Sequence, residues 1–312
     1  MELIRGIHNI LPSHNGCVLT IGNFDGVHRG HAEVIRNLVN KAHHFQLPAM
    51  VMTFEPQPQE MFKGENAPAR LSLLRDKIAL LDELEIDQLL CVNFTPSFAS
   101  QPAQAFIEDL LVNKLGVKYL VVGDDFCFGK GREGNFNSLV AAGKQYGFTV
   151  VSTQSFLVGS QRVSSTLIRE QLQLGNLEQA RRMLGHPFML SGKVAHGQKI
   201  GRTIGFPTAN IALKRKVVPV RGVFAVRLFT YDSEEEYQGV ANVGFRPTVQ
   251  GQVCQLEVHL FDFDGDLYGK RVDVELVAKI RDEQPFESLD ALKKQILNDA
   301  NEAKALFSFD AS

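Results

Sequence analysis

Strand-like and helical runs alternate along the first half of the chain, and this alternation constrains the fold more than any other feature. Short apolar runs rich in β-branched residues are followed by stretches with helical spacing up to about residue 160. Such alternation predicts a parallel sheet with helices on both faces. The strand-like runs lie at 17–21, 49–54, 89–94, 119–122 and 148–152, and the helical ones at 32–45, 71–84, 103–115 and 138–146.

The pattern changes after two short helical segments at 166–174 and 177–184. Between residues 188 and 280 the strand-like runs are interrupted by Gly, Pro and Asp, which predicts an antiparallel β-barrel, and helical spacing returns at 289–307. We therefore expect an α/β fold with a parallel-sheet domain at residues 1–185 and a barrel domain with a terminal helix at residues 186–312. The barrel strands are expected at 222–231, 237–243, 253–263 and 271–280.

Composition excludes several classes of protein. Of the 312 residues, 44% are hydrophobic and 22% charged, and the net charge of -2 provides no basic surface for nucleic acid. No apolar run is long enough to span a bilayer, and the N-terminus has no signal-peptide pattern. The four cysteines form no Cys-x-x-Cys pair, so a zinc site and a disulfide framework are not expected. We expect a cytoplasmic protein whose partners are small molecules, with no nucleic-acid or membrane partner.

The segment at 22–31, Gly-Asn-Phe-Asp-Gly-Val-His-Arg-Gly-His, follows the first strand-like run. It places His28 and His31 at the N-terminus of the next helix, where free N–H groups and the helix dipole favour an anion. Residues i and i+3 share a helix face, so both imidazoles can reach one phosphate. The alternative is a chance His-x-Gly-His, but the position directly after a strand favours a phosphate site.

A second Gly-rich loop at residues 123–134 also follows a strand-like run. Its Lys130 and Arg132 can meet phosphates, while Asp125 and Phe128 can line a cleft for a planar ring. The alternative is that Phe128 belongs to the core and that the two cations are solvated.

Small hydroxyl side chains begin the helix expected at 166–174 and form a third element. Arg169 lies one turn after Ser165 on the same helix face. Ser164 or Ser165 can equally serve as the helix N-cap, and both interpretations can hold at once.

These three elements, with Thr-Phe-Glu-Pro-Gln-Pro at 53–58 and Arg-Leu-Ser at 70–72, resemble the N-terminal module of bacterial bifunctional riboflavin kinase/FAD synthetases. The resemblance implies a Rossmann-like nucleotidyltransferase sheet that adenylylates FMN. Gln57 departs from the family, in which His is frequent at this position. The resemblance implies catalytic roles for His28, His31 and Arg169, ATP binding by Gly22, Asn23, Phe24, Asp25, Gly30, Ser165 and Thr166, and flavin binding by Phe54, Pro56, Pro58, Asp125 and Phe128.

The second half has its own Gly-rich segment, at residues 192–210, with four glycines and three cations. The chain contains no Gly-x-x-x-x-Gly-Lys-Ser/Thr P-loop, so ATP use here needs another cradle. Backbone N–H groups of such a segment can wrap phosphates, and the oxygens of Thr208 and Asn210 suit Mg²⁺. Residues i and i+2 of a strand point the same way. A generic surface loop is the alternative.

The sequence Leu-Glu-Val-His-Leu at 256–260 alternates in polarity. In a strand, Glu257 and His259 then face one side and the apolar residues face the other. If the apolar side is the core, Glu257 is free to act at a site.

These motifs, with Pro-Val-Arg-Gly-Val-Phe at 219–224 and Asn-Val-Gly-Phe-Arg-Pro-Thr at 242–248, resemble the riboflavin kinase module of the same family. The resemblance implies that Thr208 and Asn210 hold Mg²⁺-ATP and that Glu257 is the general base for the ribityl 5′-hydroxyl. Phe224 stands where Tyr is frequent. The resemblance also assigns Gly197, Gly201 and Arg202 to the ATP loop and Arg246 to the flavin.

Two acidic segments of the second half are interpreted as turns. The run at 232–236 is expected at a solvated hairpin tip. The segment at 262–266 has its glycine too early for an EF-hand calcium loop, and it is interpreted as a second hairpin turn.

Together the motifs predict an enzyme of two steps that both use ATP and Mg²⁺. The barrel phosphorylates riboflavin to FMN, and the first domain converts FMN to FAD with release of pyrophosphate. An FMN adenylyltransferase with a kinase-inactive, flavin-binding barrel and a flavin-storage protein are the alternatives. A dinucleotide-dependent oxidoreductase is disfavoured because the first strand lacks a Gly-x-Gly-x-x-Gly turn.

Overall fold

The computed structural model describes residues 1–153, 157–158, 161–196, 205–213, 215, 217–232, 235–248 and 251–310. The chain divides into two compact units, of which the first is Met1–Pro68 with Ser72–Ser164 and the second is Ala69–Leu71 with Ser165–Ser312. The helices expected at 166–184 group with the second unit. The domain boundary at residue 185 stays a prediction.

The first unit is built on one six-stranded sheet in the order β1-β4-β3-β2-β5-β6, in which all neighbours are parallel, as predicted. The order reverses at β2, with β3 on one side and β5 on the other. Ligand sites in such sheets lie beyond the carboxyl ends of the strands at this reversal. The strands are β1 (Glu2–Arg5), β2 (Val18–Ile21), β3 (Ala49–Glu55), β4 (Gln88–Asn93), β5 (Tyr119–Val122) and β6 (Thr149–Ser152), followed by a short hairpin of β7 (Leu157–Val158) and β8 (Gln161–Arg162).

Both faces of this sheet are covered by apolar side chains. Along β3, Met50 and Met52 belong to one buried cluster, while Ala49 and Val51 belong to another. A strand covered on both faces becomes a continuous apolar run, which is why these strands stand out in the sequence. The helices are α1 (Arg29–Phe45), α2 (Pro58–Lys63), α3 (Leu74–Asp82), α4 (Pro96–Ala99), α5 (Ala103–Ala105) and α6 (Phe136–Tyr146), with a π-helix at Phe106–Lys114 and 3₁₀ turns at Ile7–Asn9, Pro12–His14, Gly64–Asn66 and Lys130–Arg132.

Two helices differ from those expected from the sequence, one in its first residue and one in its hydrogen-bond geometry. The helix expected at 71–84 begins only at Leu74, because Ser72 makes hydrogen bonds to another loop. The helix expected at 103–115 takes the wider π geometry over most of its length.

The second unit contains a closed barrel in the order β10-β13-β12-β11-β14-β9, with antiparallel neighbours, as predicted. A C-terminal helix packs Ala303 and Phe307 against Val223 and Ala225 on the barrel wall. The elements are α7 (Ser165–Leu174), α8 (Leu177–Leu184), β9 (Met189–Ala195), β10 (Ala209–Ala212), β11 (Gly222–Thr230), β12 (Glu236–Thr248), β13 (Gly251–Leu260), β14 (Arg271–Arg281) and α9 (Leu289–Asp310).

The barrel order corrects two interpretations of its loops. The segment at 262–266 connects β13 to β14, which are not neighbours, so the interpretation as a hairpin turn is wrong. The acidic run at 232–236 does connect the neighbours β11 and β12. Gly192 and Lys193 lie inside β9 rather than in the Gly-rich loop, because they pair with β14 and β10.

Candidate active sites

The two histidines of the first unit stack at the N-terminus of α1. His28 is the N-cap residue, and its Nδ1 accepts the backbone N–H of His31 at 3.3 Å. The ring centroids are 3.6 Å apart, and the ring planes differ by 15°. The corner after β2 therefore brings two imidazoles together at a helix N-terminus, as the spacing predicted.

His31 is held in its neutral form. Its Nδ1 is buried and, among the described residues, has no hydrogen-bond partner. Burial, followed by the positive charges of His28 and Lys77, lowers the pKa of His31 well below its usual value. A bound phosphate would offset these charges, so the pair is prepared for an anion.

Hydrogen bonds to other segments fix the backbone that precedes the two histidines. Gly22 follows β2 and donates to the carbonyl of Met52 at 3.1 Å. Asp25 accepts the backbone N–H of Ser72 at 3.1 Å, and Gly26 donates to the Ser72 hydroxyl at 2.9 Å. Phe24 and Asp25 are both buried. Phe24 and Asp25, which were predicted to bind ATP, therefore support the turn before His28 from the protein interior. Asn23 lies in the same turn, and Gly30 lies in the first turn of α1.

The predicted flavin residues Phe54, Pro56 and Pro58 lie at the C-terminal end of β3 and just beyond it, and β3 is a neighbour of β2. Phe54 is buried and contacts Phe94 edge to face, with centroids 5.5 Å apart. Pro56 is exposed, and Pro58 begins α2. Gln57, the departure from the family, is buried with its Nε2 unpartnered among the described residues.

The Gly-rich loop at 123–134 follows β5, the other neighbour of β2. Asp125, Lys130 and Arg132 are exposed. Phe128 is buried in the sheet core, with its ring centroid 5.0 Å from that of Phe106. This position corresponds to the core alternative for Phe128. The loops after β3, β2 and β5 therefore share one edge of the sheet.

The third predicted element belongs to the second unit. Ser165 is the first residue of α7, and Thr166 is exposed. The Nε of Arg169 donates to the backbone carbonyl of Ala69 at 2.6 Å. The predicted phosphate ligand Arg169 thus also holds the backbone of the segment Ala69–Leu71.

In the barrel, strand register places the predicted Mg²⁺-ATP ligand Asn210 beside the predicted general base Glu257. Asn210 on β10 and Asn242 on β12 both lie opposite Glu257 on β13. Gln255 donates from Nε2 to Oδ1 of Asn210 at 2.9 Å and to Oε1 of Glu257 at 2.6 Å. From Cys254 to Leu260 the apolar residues of β13 are buried and the polar ones are half-buried, so the predicted alternation at 256–260 is confirmed.

Thr208 lies just before β10 and lines a cleft of about 490 Å³. The cleft is also lined by the loop after β13, including Asp264 and Tyr268. Nδ1 of His259 lies 2.9 Å from the carbonyl oxygen of Pro207 and holds the strand entry. Hydroxyl, amide and carboxylate oxygens are the ligands that Mg²⁺ takes, usually few from protein and the rest from phosphates and water. Thr208 and Asn210 fit that pattern, and the described residues contain no cluster of three metal-ligating side chains.

Four predicted residues of the barrel are not placed by the structure. Gly197, Gly201 and Arg202 lie outside the described residues. Arg246 lies in β12, but its side chain is likewise outside the described part. Phe224 is fully buried in the barrel wall.

Three residues that support the two candidate sites were not identified as site residues from the sequence. Ser72 clamps the histidine corner, Lys77 is buried near it, and Gln255 bridges two barrel strands. Lys77 left a signal, because it occupies an apolar-face position of α3 four residues before the buried Leu81. Ser72 was quoted only within the Arg-Leu-Ser segment, which does not indicate its contact with Gly26, 46 residues away. Gln255 had no such signal, since Asn210 is 45 residues away in sequence.

Comparison with known proteins matches both halves of the chain. The FAD synthetase family profile matches residues 10–167, and the riboflavin kinase profile matches residues 184–307. The chain is 54% identical to the bifunctional riboflavin kinase/FMN adenylyltransferase of Escherichia coli strain K12, over 98% of each chain. It is 52% identical to the protein of that name from Haemophilus influenzae, over 99% of this chain and 100% of the relative.

A solved structure shares the whole architecture. The crystal structure described as a macrolide-efflux protein from Streptococcus pneumoniae superposes with a TM-score of 0.80 at 31% identity, covering 96% of this chain and 97% of the other. Among the described residues, no helix is long and apolar enough to cross a membrane.

Proposed function

The chain belongs to the bifunctional riboflavin kinase/FMN adenylyltransferase family, and we propose which residues of its two sites make FMN and FAD. It phosphorylates riboflavin to FMN with the barrel and adenylylates FMN to FAD with the parallel-sheet unit. The observation that carries the residue assignment is the pairing at each site, His28 on His31 and Asn210 opposite Glu257. We assign residues 1–185 to the adenylyltransferase domain and residues 186–312 to the riboflavin kinase domain in this proposal.

In the kinase reaction the ribityl 5′-oxygen attacks the γ-phosphorus of ATP, and ADP leaves. Glu257 accepts the proton that the hydroxyl loses, and Gln255 orients the carboxylate. Thr208 and Asn210 would hold Mg²⁺, which supplies charge neutralisation on the phosphates. Arg246 is proposed to contact the flavin, and the segment of Gly197, Gly201 and Arg202 to wrap the nucleotide.

In adenylyl transfer an oxygen of the FMN phosphate attacks the α-phosphorus of ATP. The bond from that phosphorus to the bridging oxygen breaks, and pyrophosphate leaves without a covalent enzyme intermediate. The imidazoles of His28 and His31 stabilise the charge gathered on the reacting phosphates. Ser165, Thr166 and Arg169 are proposed to bind the other phosphates, and the loops with Pro56, Pro58 and Asp125 to receive the isoalloxazine ring.

The partners in this proposal are riboflavin, FMN and ATP, with no nucleic acid. A reducing compartment such as the cytoplasm is supported by the four cysteines, all of which are free thiols. Burial raises the pKa of Cys17 to about 12 and that of Cys254 to about 11, so neither thiol forms the reactive thiolate readily.

One assay tests the proposal as a whole. Purified full-length protein is incubated with riboflavin, ATP and Mg²⁺, and the flavins are separated by chromatography. FMN should appear first and FAD second, while FMN supplied directly should yield FAD. Formation of FAD only from added FMN would favour the alternative of a kinase-inactive barrel, and recovery of unchanged riboflavin and unchanged FMN would contradict both activities.

A further inference from the structure

Two segments of the barrel converge on one carboxylate, that of Glu283 in the loop after β14. Arg221 comes from the segment at 219–224, and its Nε lies 2.6 Å from Oε2 of Glu283. Asn242 comes from the segment at 242–248, and its Nδ2 donates to Oε1 of Glu283 at 3.3 Å. Two parts of the chain that are distant in sequence thus supply partners to one half-buried carboxylate.

The barrel wall leaves room for the Glu283 carboxylate. Gly244 lies two residues after Asn242 on β12, and a Cβ at position 244 would lie 2.1 Å from Oε1 of Glu283. Any other residue at 244 would therefore displace this carboxylate. Two residues before Glu283, Arg281 donates to both carboxylate oxygens of the buried Asp299 on α9, from Nε at 2.9 Å and from Nη2 at 2.7 Å. Glu283 is thus held from both ends, by its loop and by the surface of β12.

The carboxylate of Glu283 fixes the orientation of the Asn242 amide. A carboxylate paired with an arginine only accepts hydrogen bonds, so the amide atom of Asn242 that faces it is the NH₂ group. The carbonyl oxygen Oδ1 of Asn242 has no hydrogen-bond partner among the described residues. Asn242 therefore offers a hydrogen-bond acceptor whose orientation is set in advance.

Asn242 lies beside the proposed base, on the side away from the proposed nucleotide ligand. In the strand register Glu257 is flanked by Asn210 on β10 and by Asn242 on β12. Facing residues of antiparallel strands lie on the same face, with Cα atoms about 4.5–5.5 Å apart. In phosphoryl transfer the attacking and leaving oxygens lie on opposite sides of the phosphorus. If Asn210 is on the ATP side of Glu257, the attacking hydroxyl reaches Glu257 from the side of Asn242.

We propose that Oδ1 of Asn242 accepts a hydrogen bond from the 4′-hydroxyl of riboflavin, and that Glu283 is a positioning residue that orients the Asn242 amide for this contact. The 4′-hydroxyl is the neighbour of the 5′-hydroxyl that reacts. Holding it fixes the end of the ribityl chain, so that the 5′-oxygen meets the γ-phosphorus in a reactive orientation. The inference rests on the proposed assignment of Asn210 and Glu257.

The contact is tested with 4′-deoxyriboflavin in the full-length protein, with the flavins separated by chromatography. The wild-type protein should phosphorylate this analogue with a kcat/KM about 30-fold below that for riboflavin, because the acceptor is left without its donor. In Asn242→Ala, kcat/KM for riboflavin should fall by about 30-fold, and the two flavins should become equivalent within about threefold. The KM for ATP and the formation of FAD from added FMN should change less than about twofold, which also shows that the variant is folded.

The positioning role of Glu283 is tested by comparing two substitutions. Glu283→Ala removes the acceptor that orients the Asn242 amide, so kcat/KM for riboflavin should fall by about 10-fold, whereas Glu283→Gln keeps an acceptor and should lose less than about threefold. Added to Asn242→Ala, Glu283→Ala should cause no further loss, because Glu283 acts through Asn242. A merely structural role would instead multiply the two losses. The matched control is Asp282→Ala, an exposed neighbour that pairs with Lys279 at 2.7 Å, and it should behave as wild type.

Four results would overturn the proposal: equal use of both flavins by the wild-type protein, an unchanged preference for riboflavin in Asn242→Ala, normal kinase activity in Glu283→Ala, or multiplied losses in the double variant. Failure of the site assignment has a different signature. If Glu257→Gln keeps normal kinase activity, the proposed site is wrong. If Glu257→Gln is inactive and Asn242→Ala is normal, only the role of Asn242 is wrong.

Discussion

The two proposed sites of this chain differ in burial and in the chemical groups that they offer to ATP. In the first unit the site is largely buried, and it consists of the stacked imidazoles of His28 and His31 near the side chain of Lys77. In the barrel it is half-buried and rich in oxygen, with Asn210 and Glu257 facing each other across strands. The difference follows from the two nucleophiles. The phosphate of FMN is already an anion near neutral pH, whereas the hydroxyl of riboflavin must lose a proton.

Each architecture supplies what its nucleophile requires. Loops beyond parallel strands end at helix N-termini, which concentrate backbone N–H groups on an anion. Antiparallel strands instead place side chains opposite one another at fixed register, so a base and hard oxygen ligands can share one face. We therefore expect the first unit to stabilise charge and the barrel to accept a proton.

The substitution Glu257→Gln tests the role proposed for the barrel site and has the largest expected effect. The amide cannot accept the hydroxyl proton, so FMN formation should fall by about 10³-fold. FAD formation from added FMN should not change. The control is Glu236→Gln, the same change on β12 six residues from Asn242, which should leave both rates unaltered. A Glu257→Gln enzyme with normal kinase activity would show that Glu257 is not the base.

The substitution His31→Ala tests the site of the first unit. FAD formation should fall by about 10²-fold, because a group that stabilises transition-state charge is removed. FMN formation from riboflavin should persist, and FMN should accumulate. His43→Ala, an exposed histidine near the C-terminal end of the same helix, is the matched control and should behave as wild type. Loss of both activities in His31→Ala would speak against separate sites.

Gln255→Ala sharpens the comparison within the barrel. Removing the amide leaves Asn210 and Glu257 without the donor that they share, so FMN formation should fall by about 10-fold while FAD formation is unchanged. The rate as a function of pH locates the effect, because a misoriented base changes kcat more than KM for ATP. A larger KM with unchanged kcat would indicate that Gln255 serves nucleotide binding instead.

The smallest expected effect is on stability. The pKa of His31 is lowered in the folded protein, so below the ordinary histidine pKa the unfolded chain binds more protons, and folded-state stability is lost as pH falls. The stability contribution is fully present only above that ordinary value. The decrease in melting temperature between pH 7.5 and 5.5, about a few degrees, should be smaller in His31→Gln than in wild type or His43→Gln. Equal decreases in all three proteins would contradict the role of burial at His31.

The sequence predicted what short periodicities encode. Strands covered on both faces, such as β3, appear as apolar runs, and the position of His28 and His31 at a helix start follows from spacing alone. The alternation around Glu257 was likewise sufficient to place its face. The loop at 262–266 was misinterpreted because the local sequence of a turn does not reveal which strands it connects.

The sequence by itself therefore determined the two folds, the helix-terminal histidine pair and the polar face of β13, because each depends on residues close together along the chain. The hydrogen bonds that hold those groups in place are visible only in the tertiary structure. Lys77 reaches Asn23 and Ser72 reaches Gly26 across long separations in sequence, and register alone brings Gln255 between Asn210 and Glu257. Hydrogen bonds and buried charges between distant segments leave no periodic signal, so they appear only when the chain is folded.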